Sequence, residues 1–313
     1  MILLLGATGY IGQAFATELR KRGKDFVSVT RSAHDYTRFD TLLELLRSTP
    51  VAFLINCAGY TGKPNVDACE TAQADTMLGN AMLPQTIAHV CSVAGVPWGH
   101  VSSGCIYAGA KVLEAGKQRI YRDMTDPGFQ TALANDRSTI HGFTETDTPN
   151  FSFRQPPCSF YSGTKALGEE VLAATGNCYI WRLRIPFDEF DNPRNYLTKL
   201  QSYAKVYENV NSLSHRADFV AACLDLWDRR APFGTYNVTN PGFVTTSEVV
   251  AMIQQILKPH RTFEYWENDT LFYQVAAKTP RSNCVLDVSK LLAAGVQIRP
   301  VLQALEATLQ DWS

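Results

Sequence analysis

The strongest constraint on the fold of this chain is a glycine-rich segment near its start, Gly6-Ala7-Thr8-Gly9-Tyr10-Ile11-Gly12. It follows the apolar run Met1–Leu5 and leads into Gly12–Arg22, where apolar side chains recur at helical spacing. Between a strand and a helix, the first glycine permits a tight turn, the second lets the backbone approach a pyrophosphate, and the third lets the helix pack on the strand. The segment predicts a dinucleotide site formed by Gly6, Thr8, Gly9, Tyr10, Ile11 and Gly12.

Apolar runs alternate with amphipathic stretches through the first half of the chain. The runs predict strands at Ile2–Leu5, Phe26–Thr30, Ala52–Asn56, Pro97–Ser102 and Tyr179–Leu183. This alternation predicts an α/β fold with a Rossmann-type, doubly wound parallel sheet. We expect residues 1–185 to form the dinucleotide-binding domain and residues 186–313 to form mainly a smaller substrate-binding lobe, with segments that return to the first domain. Residues 108–158 are rich in Asp, Thr, Pro and Gly, which predicts a long irregular excursion.

The residues after the second strand indicate which dinucleotide binds. An NAD site usually has Asp or Glu there, hydrogen-bonded to the ribose 2′-hydroxyl. This chain has Arg31 and Ser32 instead. A guanidinium with a neighbouring hydroxyl can bind a 2′-phosphate, although a solvated surface arginine is the alternative interpretation. The sequence therefore favours NADPH as the cofactor of residues 1–185, with NADH as the alternative.

The charge and composition of the 313-residue chain argue against several classes of protein. A formal net charge of −1 lacks the basic surface that nucleic-acid binding needs. No stretch approaches the roughly 20 apolar residues of a membrane-spanning helix. The eight cysteines show neither a disulfide framework nor metal-ligand spacing. We expect a cytoplasmic protein without a metal site, a nucleic-acid partner or a membrane partner.

Two further patterns suggest carbonyl chemistry. Tyr161 and Lys165 are four residues apart, so on a helix their Cβ atoms would lie about 5–6 Å apart on one face. A nearby ammonium lowers the pKa of a phenol, which makes Tyr161 a candidate proton donor to a carbonyl oxygen as hydride reaches the carbon. Ser102 and Ser103 follow an apolar strand, at the edge where the binding crevice opens. Each pattern alone is weak, but the glycine triplet, serine and Tyr–Lys pair occur together in this order.

Four segments carry a resemblance to a known family: Gly6–Gly12, Asn56–Gly59, Ser103–Tyr107 and Tyr161–Lys165. With them the chain resembles the extended short-chain dehydrogenases/reductases. The resemblance implies that Ser103, Tyr161 and Lys165 are catalytic; it selects Ser103 over Ser102 because the family's serine stands three residues before an aliphatic–aromatic pair. It also implies cofactor contacts from Asn56, Ala58, Gly59 and Lys165, and places Asn80 near the substrate.

More distinctive strings occur at Gly62–Asp67, Glu145–Asn150, Asn192–Asn195, Tyr236–Gly242 and Arg281–Asn283. Through them nearly the whole chain resembles the plant-type bifunctional UDP-4-keto-6-deoxyglucose 3,5-epimerases/4-reductases of UDP-rhamnose synthesis. The dTDP-4-dehydrorhamnose reductases are more distant. The resemblance implies that Cys105 and Lys199 form the epimerising pair. We assign Arg194, Asn195 and Arg281 as candidate substrate contacts, with surface salt bridges as the alternative for the arginines. Without the resemblance, Cys105 would be interpreted as a core thiol and Lys199 as a surface amine.

The resemblance implies 3,5-epimerisation and then NADPH reduction at C4 of a UDP- or dTDP-linked 4-keto-6-deoxyhexose. Carbons 3 and 5 flank the ketone, so their protons become removable once the enolate oxygen is stabilised. One alternative is a reductase without epimerase activity. Another is a non-catalytic NADP-binding regulatory subunit, against which the complete set of Ser103, Tyr161 and Lys165 counts. Residues 109–143 look like an insertion relative to the plant enzymes, which leaves the nucleotide and the sugar open. A homodimer is implied only by the family resemblance.

Overall fold

The computed structural model describes residues 1–313. Its strands are β1 (Ile2–Leu5), β2 (Phe26–Val29), β3 (Phe53–Asn56), β4 (Trp98–Ser103), β5 (Ala110–Glu114), β6 (Lys117–Tyr121), β7 (Ile140–His141), β8 (Cys178–Leu183), β9 (Pro186–Phe187), β10 (Lys205–Val206), β11 (Val210–Asn211), β12 (Ser214–His215), β13 (Gly234–Asn237), β14 (Val244–Thr245) and β15 (Glu264–Tyr265).

The α-helices are α1 (Tyr10–Lys21), α2 (Phe39–Ser48), α3 (Gln73–Met77), α4 (Leu83–Ala94), α5 (Pro127–Asn135), α6 (Phe160–Leu172), α7 (Tyr196–Ser202), α8 (Arg216–Asp228), α9 (Thr246–Ile256), α10 (Asp269–Val275), α11 (Ser289–Ala293) and α12 (Val301–Gln310). Short 3₁₀ turns lie at Val66–Glu70, Gly104–Ile106 and Arg137–Thr139, and a π-helical turn lies at Leu78–Met82. No helix combines the length and the apolar composition needed to cross a membrane.

Six strands form one parallel sheet in the order β2-β1-β3-β4-β8-β13. Side chains alternate across it: Ile2 and Leu4 of β1 pack with α1 and α8 on one face, and Leu3 and Leu5 pack with α2 and α4 on the other. The prediction of a doubly wound, Rossmann-type parallel sheet is confirmed. Because β2 and β3 flank β1, the strand order reverses at β1, and in such sheets the binding crevice opens outside the carboxyl ends of the strands at this point.

The C-terminal half contributes both to this sheet and to a second core. Strand β13 forms one edge of the sheet, and α8 packs on α1, where Arg22 pairs with Asp225 at 2.8 Å. The second core joins α7, α9 and α12 through apolar residues such as Leu197, Val249 and Leu305. The domain boundary between residues 185 and 186 stays a prediction.

The prediction that residues 108–158 are irregular is wrong for most of residues 110–141, whereas residues 142–158 contain neither helix nor strand. Strands β5, β6 and β7 form an antiparallel sheet, and α5 packs on it through Phe129. The hairpin turn at Ala115 and Gly116 has positive φ at both residues, 47° and 77°, as a two-residue turn matching the strand twist requires. One face of the hairpin is buried, with Val112 and Tyr121 in its core, while the first four residues of β6 are exposed. Because the outer face of the hairpin is polar, its strands do not stand out as apolar runs in the sequence.

The predicted strands of the central sheet differ from the observed ones by at most one residue at either end. Helix α1 begins at Tyr10, two residues before the predicted start at Gly12. The third glycine of the motif therefore lies inside the first turn of the helix, where it packs against the loop.

Candidate active site

The loop between β1 and α1 has the close packing that a pyrophosphate site needs. Gly6 has a φ of 77°, and a β-carbon there would lie 2.5 Å from the amide nitrogen of Ala58. A β-carbon at Gly12 would lie 2.1 Å from the carbonyl oxygen of Gly6. Gly9 is the N-cap residue of α1 and offers no side chain to cap the helix, and the first turn has no acidic residue. The positive end of the helix is therefore free for an anion, and this loop fits a dinucleotide.

The other predicted members of this loop divide between surface and interior. Thr8 is exposed, and its carbonyl accepts a hydrogen bond of 3.1 Å from Gln13. The half-buried ring of Tyr10 lies 4.4 Å from the guanidinium carbon of Arg216, and Ile11 packs on the core under α1. Thr8 and Gly9 are thus the members of the loop most open to a ligand, while Tyr10 and Ile11 also fix the loop against the protein.

The end of β3 forms the facing side of the crevice. The side-chain oxygen of Asn56 accepts a hydrogen bond of 3.0 Å from the backbone of Ala58, and its amide donates to Nδ1 of His100 at 3.0 Å. Burial lowers the pKa of His100 well below its usual value, so the ring is neutral and can accept this bond. Asn56 thereby fixes the backbone that leads to Gly59. A β-carbon on Gly59 would lie 3.5 Å from the ammonium of Lys165.

The predicted 2′-phosphate residues lie in the turn after β2. Arg31 and Ser32 are both exposed, and the Ser32 hydroxyl lies 3.1 Å from that of Thr30. The turn places a cation and two hydroxyls at the carboxyl end of the strand next to β1.

Helix α6 brings the Tyr–Lys pair against the end of β4. The helix begins at Phe160, after Ser159, whose hydroxyl accepts a hydrogen bond of 3.1 Å from the backbone of Ser162. The ammonium of Lys165 donates to the Val101 carbonyl of β4 at 3.4 Å. The Ser103 hydroxyl is near enough to the Tyr161 phenol to lower its pKa, which opposes the effect of burial. The structure thus brings Ser103, Tyr161 and Lys165 together beside the dinucleotide loop.

The two adjacent serines at this strand end have different partners. Ser102 is buried and donates a hydrogen bond of 2.6 Å to Glu169, which is itself paired with Arg182 at 2.7 Å. Ser103 is half-buried and accepts a hydrogen bond of 3.3 Å from the backbone of Cys105. Ser102 is therefore held in an internal network, whereas Ser103 faces Tyr161.

The sequence predicts that Lys165 lowers the pKa of Tyr161, but burial has the largest effect on this pKa and acts in the opposite direction. Burial raises the pKa of Tyr161, and the nearby Ser103 hydroxyl acts in the opposite direction. Burial also lowers the pKa of the Lys165 ammonium, whose hydrogen bond goes to the Val101 carbonyl. Tyr161 is consequently a neutral phenol at neutral pH, which is the protonation state that a proton donor needs.

Cys105 lies in the 3₁₀ turn directly after Ser103 and is 7% exposed. Burial raises the pKa of its thiol, while hydrogen bonds with Ser103 and Ser162 oppose that rise. The positive charges of Arg184 and Lys165 act in the same direction as these hydrogen bonds. The predicted epimerising thiol therefore belongs to the same cluster as Ser103, Tyr161 and Lys165.

Lys199, its predicted partner, lies on α7 in the smaller lobe. Burial lowers the pKa of its ammonium, and the neighbouring guanidinium of Arg194 lowers it further. The lysine is half-buried. None of the hydrogen bonds or ion pairs of the structure joins Lys199 to Cys105, so the structure does not bring the two predicted members of the pair into contact.

Two asparagines predicted to contact substrate have all their polar atoms engaged within the protein. Asn80, in the π-helical turn, accepts from the backbone nitrogen of Tyr60 at 2.9 Å and donates to its carbonyl at 2.8 Å. Asn195 caps α7 by accepting from Leu197 at 3.0 Å, and it donates to Asp188 and Phe190. Both side chains are fully buried. They anchor backbone segments, a different role from the predicted substrate contact.

The two arginines predicted to bind the diphosphate hold the segment of residues 59–70, which we call the crossing loop. Arg194 donates to the Thr61 hydroxyl at 2.8 Å and to the Gly62 carbonyl at 3.1 Å. Arg281 pairs with Asp67 through two bonds of 2.6 and 2.8 Å. Arg194 keeps an unneutralised charge, whereas the charge of Arg281 is already balanced by a carboxylate. Three of the five distinctive strings, Gly62–Asp67, Asn192–Asn195 and Arg281–Asn283, therefore meet at this loop.

A cavity of about 600 Å³ lies between the small sheet and the segment that carries Arg281. Sequence reasoning missed most of its lining, because no motif marks it. Its exposed cations are Arg122, which donates only to the carbonyls of Pro156 and Pro157, and Lys278. The further lining residues that can contact a ligand are Asp123, Tyr207, Asn209, Asp269 and Tyr273. A usable signal was the single cation Lys278, three residues before Arg281.

The cavity adjoins the catalytic cluster through its wall at Ala108 and Asn283. The backbone nitrogen of Gly109 donates to the Asn283 carbonyl at 2.7 Å, and the Ser282 hydroxyl donates to the Tyr107 carbonyl at 2.6 Å. The segment carrying Ser282 and Asn283 is thus bonded directly to the chain that follows Cys105. None of Ser103, Cys105, Tyr161 and Lys165 lines the cavity itself, and the lining residue nearest to Cys105 in the chain is Ala108.

With this geometry in place, the chain can be compared with known proteins. The sequence profile of the RmlD substrate binding domain matches residues 1–313. The chain belongs to this family. The bifunctional dTDP-4-dehydrorhamnose 3,5-epimerase/dTDP-4-dehydrorhamnose reductase of Arabidopsis thaliana is 30% identical over 305 residues, 97% of this chain and 90% of that protein. The resemblance that the sequence motifs predict is confirmed.

Two solved structures share the fold of this chain. The L780 UDP-rhamnose synthase of Acanthamoeba polyphaga mimivirus superposes with a TM-score of 0.83 at 22% identity, over 99% of this chain and 98% of that one. The dTDP-4-dehydrorhamnose reductase of Bacillus anthracis, in complex with NADP, superposes with a TM-score of 0.72 at 17% identity, over 99% and 96% of the two chains. At these identities the likeness establishes the fold alone.

Proposed function

We propose that this protein is an NADPH-dependent reductase of a nucleotide-linked 4-keto-6-deoxyhexose and that it also catalyses the 3,5-epimerisation of that sugar. The observation that carries the proposal is the meeting of Ser103, Tyr161 and Lys165 beside the glycine-rich loop. A module that only binds the dinucleotide does not need all three groups. The bifunctional relative from Arabidopsis thaliana supports the substrate class and the two-step activity.

In the reduction, bound NADPH supplies the hydride to C4 of the sugar. Tyr161, kept neutral by burial, donates its proton to the C4 oxygen as the carbonyl is reduced. The Ser103 hydroxyl holds the same oxygen and stabilises the charge that develops on it. The Lys165 ammonium stabilises the phenolate that remains on Tyr161 until solvent returns a proton.

In the epimerisation, Ser103 and Tyr161 stabilise the enolate oxygen while protons exchange at C3 and C5. Inversion requires one group to remove a proton from one face of the ring and another to return a proton to the opposite face. Cys105 and Lys199 fill these two roles in the proposal. Burial and the charge of Arg194 lower the pKa of Lys199, which brings its proton exchange nearer to neutral pH.

The nucleotide half of the substrate occupies the cavity next to this cluster. Arg122 and Lys278 provide positive charge for the diphosphate, and Arg194 provides more on the side of the crossing loop. Tyr207 stacks on Phe272 with ring centroids 3.9 Å apart, which gives the wall a flat aromatic surface suited to a base.

Arg31 and Ser32 make NADPH the preferred cofactor in this proposal. They stand where a carboxylate would select the ribose 2′-hydroxyl of NAD, and a guanidinium there favours the 2′-phosphate. The NADP-bound relative from Bacillus anthracis supports the same choice.

The test follows NADPH oxidation with two forms of each sugar. One is the UDP- or dTDP-4-keto-6-deoxyglucose, and the other is the same sugar already inverted at C3 and C5. Wild-type protein is expected to consume NADPH with both forms. Cys105→Ala is expected to consume it only with the inverted form, and Cys91→Ala, which removes a thiol from the core under α4, is the matched control.

A reductase without epimerase activity is the second candidate, in line with the dTDP-4-dehydrorhamnose reductase of Bacillus anthracis that shares the fold. It predicts that wild-type protein oxidises NADPH only with the inverted sugar. Oxidation with none of the 4-keto sugars would contradict the proposed substrate class altogether.

A further inference from the structure

A buried guanidinium without a carboxylate partner lies behind the turn that carries Cys105. Arg184 is 4% exposed, and its hydrogen bonds go to neutral oxygens: the Ser282 hydroxyl at 3.1 Å, the Asn211 side chain at 2.6 Å and the Ser282 carbonyl. Its Nε atom is buried and has no hydrogen-bond partner. By contrast, Arg182, two residues earlier on β8, is neutralised by Glu169 at 2.7 Å. A buried charge without a partner lowers the stability of the folded protein, so the burial of the unpaired Arg184 guanidinium calls for a functional explanation.

The sheet register places Arg184 beside the active-site turn. Leu183 of β8 pairs with Ser103 of β4, so Arg184 follows at the same sheet edge as Gly104. A β-carbon on Gly104 would lie 3.6 Å from Cδ of Arg184. Cys284 links the two sides, because its thiol donates to the Gly104 carbonyl at 3.3 Å and its backbone nitrogen to Asn211 at 3.0 Å. The guanidinium is therefore built into the same cluster as the turn with Cys105.

The positive charges of two groups lower the pKa of the Cys105 thiol: Arg184 after β8 and Lys165 on α6. The other titratable groups near it are Cys69, Cys158, Tyr161 and Cys284. Burial raises the pKa of each of these four groups, so they are neutral at pH 7. Lys165 already has a role in the reduction, which leaves Arg184 as the charge without an assigned partner.

We propose that Arg184 is a positioning residue for epimerisation, whose unpaired guanidinium stabilises the negative charge that forms on the sulfur of Cys105. The inference rests on the proposed epimerase activity. When the thiolate removes a proton from C3 or C5, the S–H bond forms and the C–H electron pair moves into the enolate. When the thiol instead donates its proton to the enolate carbon, the C–H bond forms and the thiolate remains. Either direction places a negative sulfur beside Arg184.

The first measurement is the ionisation of Cys105, followed by thiolate absorbance near 240 nm as pH rises. The signal of this one thiol is the difference between each protein and the same protein carrying Cys105→Ala. In Arg184→Gln the midpoint is expected to move up by at least about one pH unit, because removing an opposite charge disfavours the thiolate. Arg184→Lys keeps the charge, so its midpoint is expected to lie close to that of the wild type. Arg184→Met replaces Arg184→Gln if the glutamine variant does not fold.

The second measurement is the pH profile of deuterium exchange into the sugar in D₂O without NADPH. For Arg184→Gln the exchange rate at pH 7 is expected to fall about tenfold or more, with its rising limb displaced to higher pH, since one pH unit of thiolate ionisation is a tenfold change in population. Adding the same change to Cys105→Ala is expected to cause no further loss.

The outcomes separate the two proposals. An unchanged thiol midpoint in Arg184→Gln, with Cys105-dependent exchange intact in the wild type, overturns the role of Arg184 alone. An absence of Cys105-dependent exchange in the wild type contradicts the epimerase activity and, with it, the use of the thiolate. NADPH affinity and melting temperature of each variant report whether the fold has survived.

Discussion

At the scale of single residues, Ser102 and Ser103 show how adjacent positions acquire different roles. Alternation along β4 directs the Ser102 hydroxyl to Glu169 in the interior, and the next residue faces the crevice. The hydroxyl of Ser103 is therefore free to approach a carbonyl oxygen bound near Tyr161.

Exchanging each serine for alanine is expected to separate catalysis from stability. Ser103→Ala removes one donor to the carbonyl oxygen, so kcat for NADPH oxidation should fall roughly 100-fold. Ser102→Ala is expected to leave kcat within a few-fold of wild type and to lower the free energy of unfolding by about 1 kcal/mol, through the lost bond to Glu169. Steady-state kinetics and denaturant unfolding of the two variants check this, and the reverse pattern would assign the catalytic hydroxyl to Ser102.

The residues that could be predicted from the sequence are those whose spacing carries the chemistry. Ser103, Tyr161 and Lys165 lie close to one another because helix and strand geometry fixes such short-range patterns. The anchoring roles of Asn80 and Asn195 could not be predicted, because a sequence does not show which side chains are saturated. Arg281 is a similar case, since its partner Asp67 is 214 positions away in the chain.

At the scale of elements, the small sheet of β5, β6 and β7 is the largest departure from the sequence-based expectation. Only one face of its strands is apolar, and that face is short: Ala110, Val112, Tyr121 and Ile140, while Lys111 is buried on the other face of β5. A window that weighs overall polarity does not detect a one-sided hairpin of this size. The turn at Ala115 and Gly116 was the available signal.

This element places Arg122 on the wall of the proposed nucleotide cavity. Arg122→Ala is expected to raise KM for the nucleotide sugar about tenfold with little change in kcat, because a contact to the diphosphate is made equally in the ground and transition states. Arg119→Ala is the matched control: Arg119 lies on the same hairpin but faces Glu114 at 3.9 Å. Equal KM values for Arg122→Ala and wild type would show that the small sheet does not contribute to the substrate site.

At the scale of the whole molecule, the crossing loop ties the sheet domain to the C-terminal segments. Arg194 reaches it from the start of α7, and Arg281 reaches it from the segment after α10. The overall plan of parallel strands was predictable because each strand is a short apolar run before a turn. The contacts that join the two lobes were not predictable, because they depend on pairs of residues that are remote in sequence.

The Asp67–Arg281 pair is expected to make stability depend on pH in the acid range. Burial raises the pKa of Asp67, but the hydrogen bonds and charge of Arg281 outweigh this and hold the pKa below its usual value. The pair therefore stabilises the folded protein above the ordinary carboxylate pKa, and this contribution is lost as pH falls through the depressed value.

The melting temperature of Asp67→Asn should accordingly lie about 2–4 °C below wild type at pH 7, with a smaller gap at an acid pH below the ordinary carboxylate pKa. Asp25→Asn, which changes an exposed carboxylate, controls for the loss of a charge. A gap that is the same at both pH values would show that Asp67 acts through packing rather than through its charge.

The central claim is that one chain both inverts C3 and C5 and reduces C4. Its most direct test is to convert UDP- or dTDP-4-keto-6-deoxyglucose with NADPH in D₂O and to locate deuterium in the reduced sugar by mass spectrometry. The account predicts deuterium at C3 and C5 with wild-type protein and its loss in Cys105→Ala. A reduced sugar without deuterium at either carbon would contradict the account and leave a reductase that depends on another protein for epimerisation.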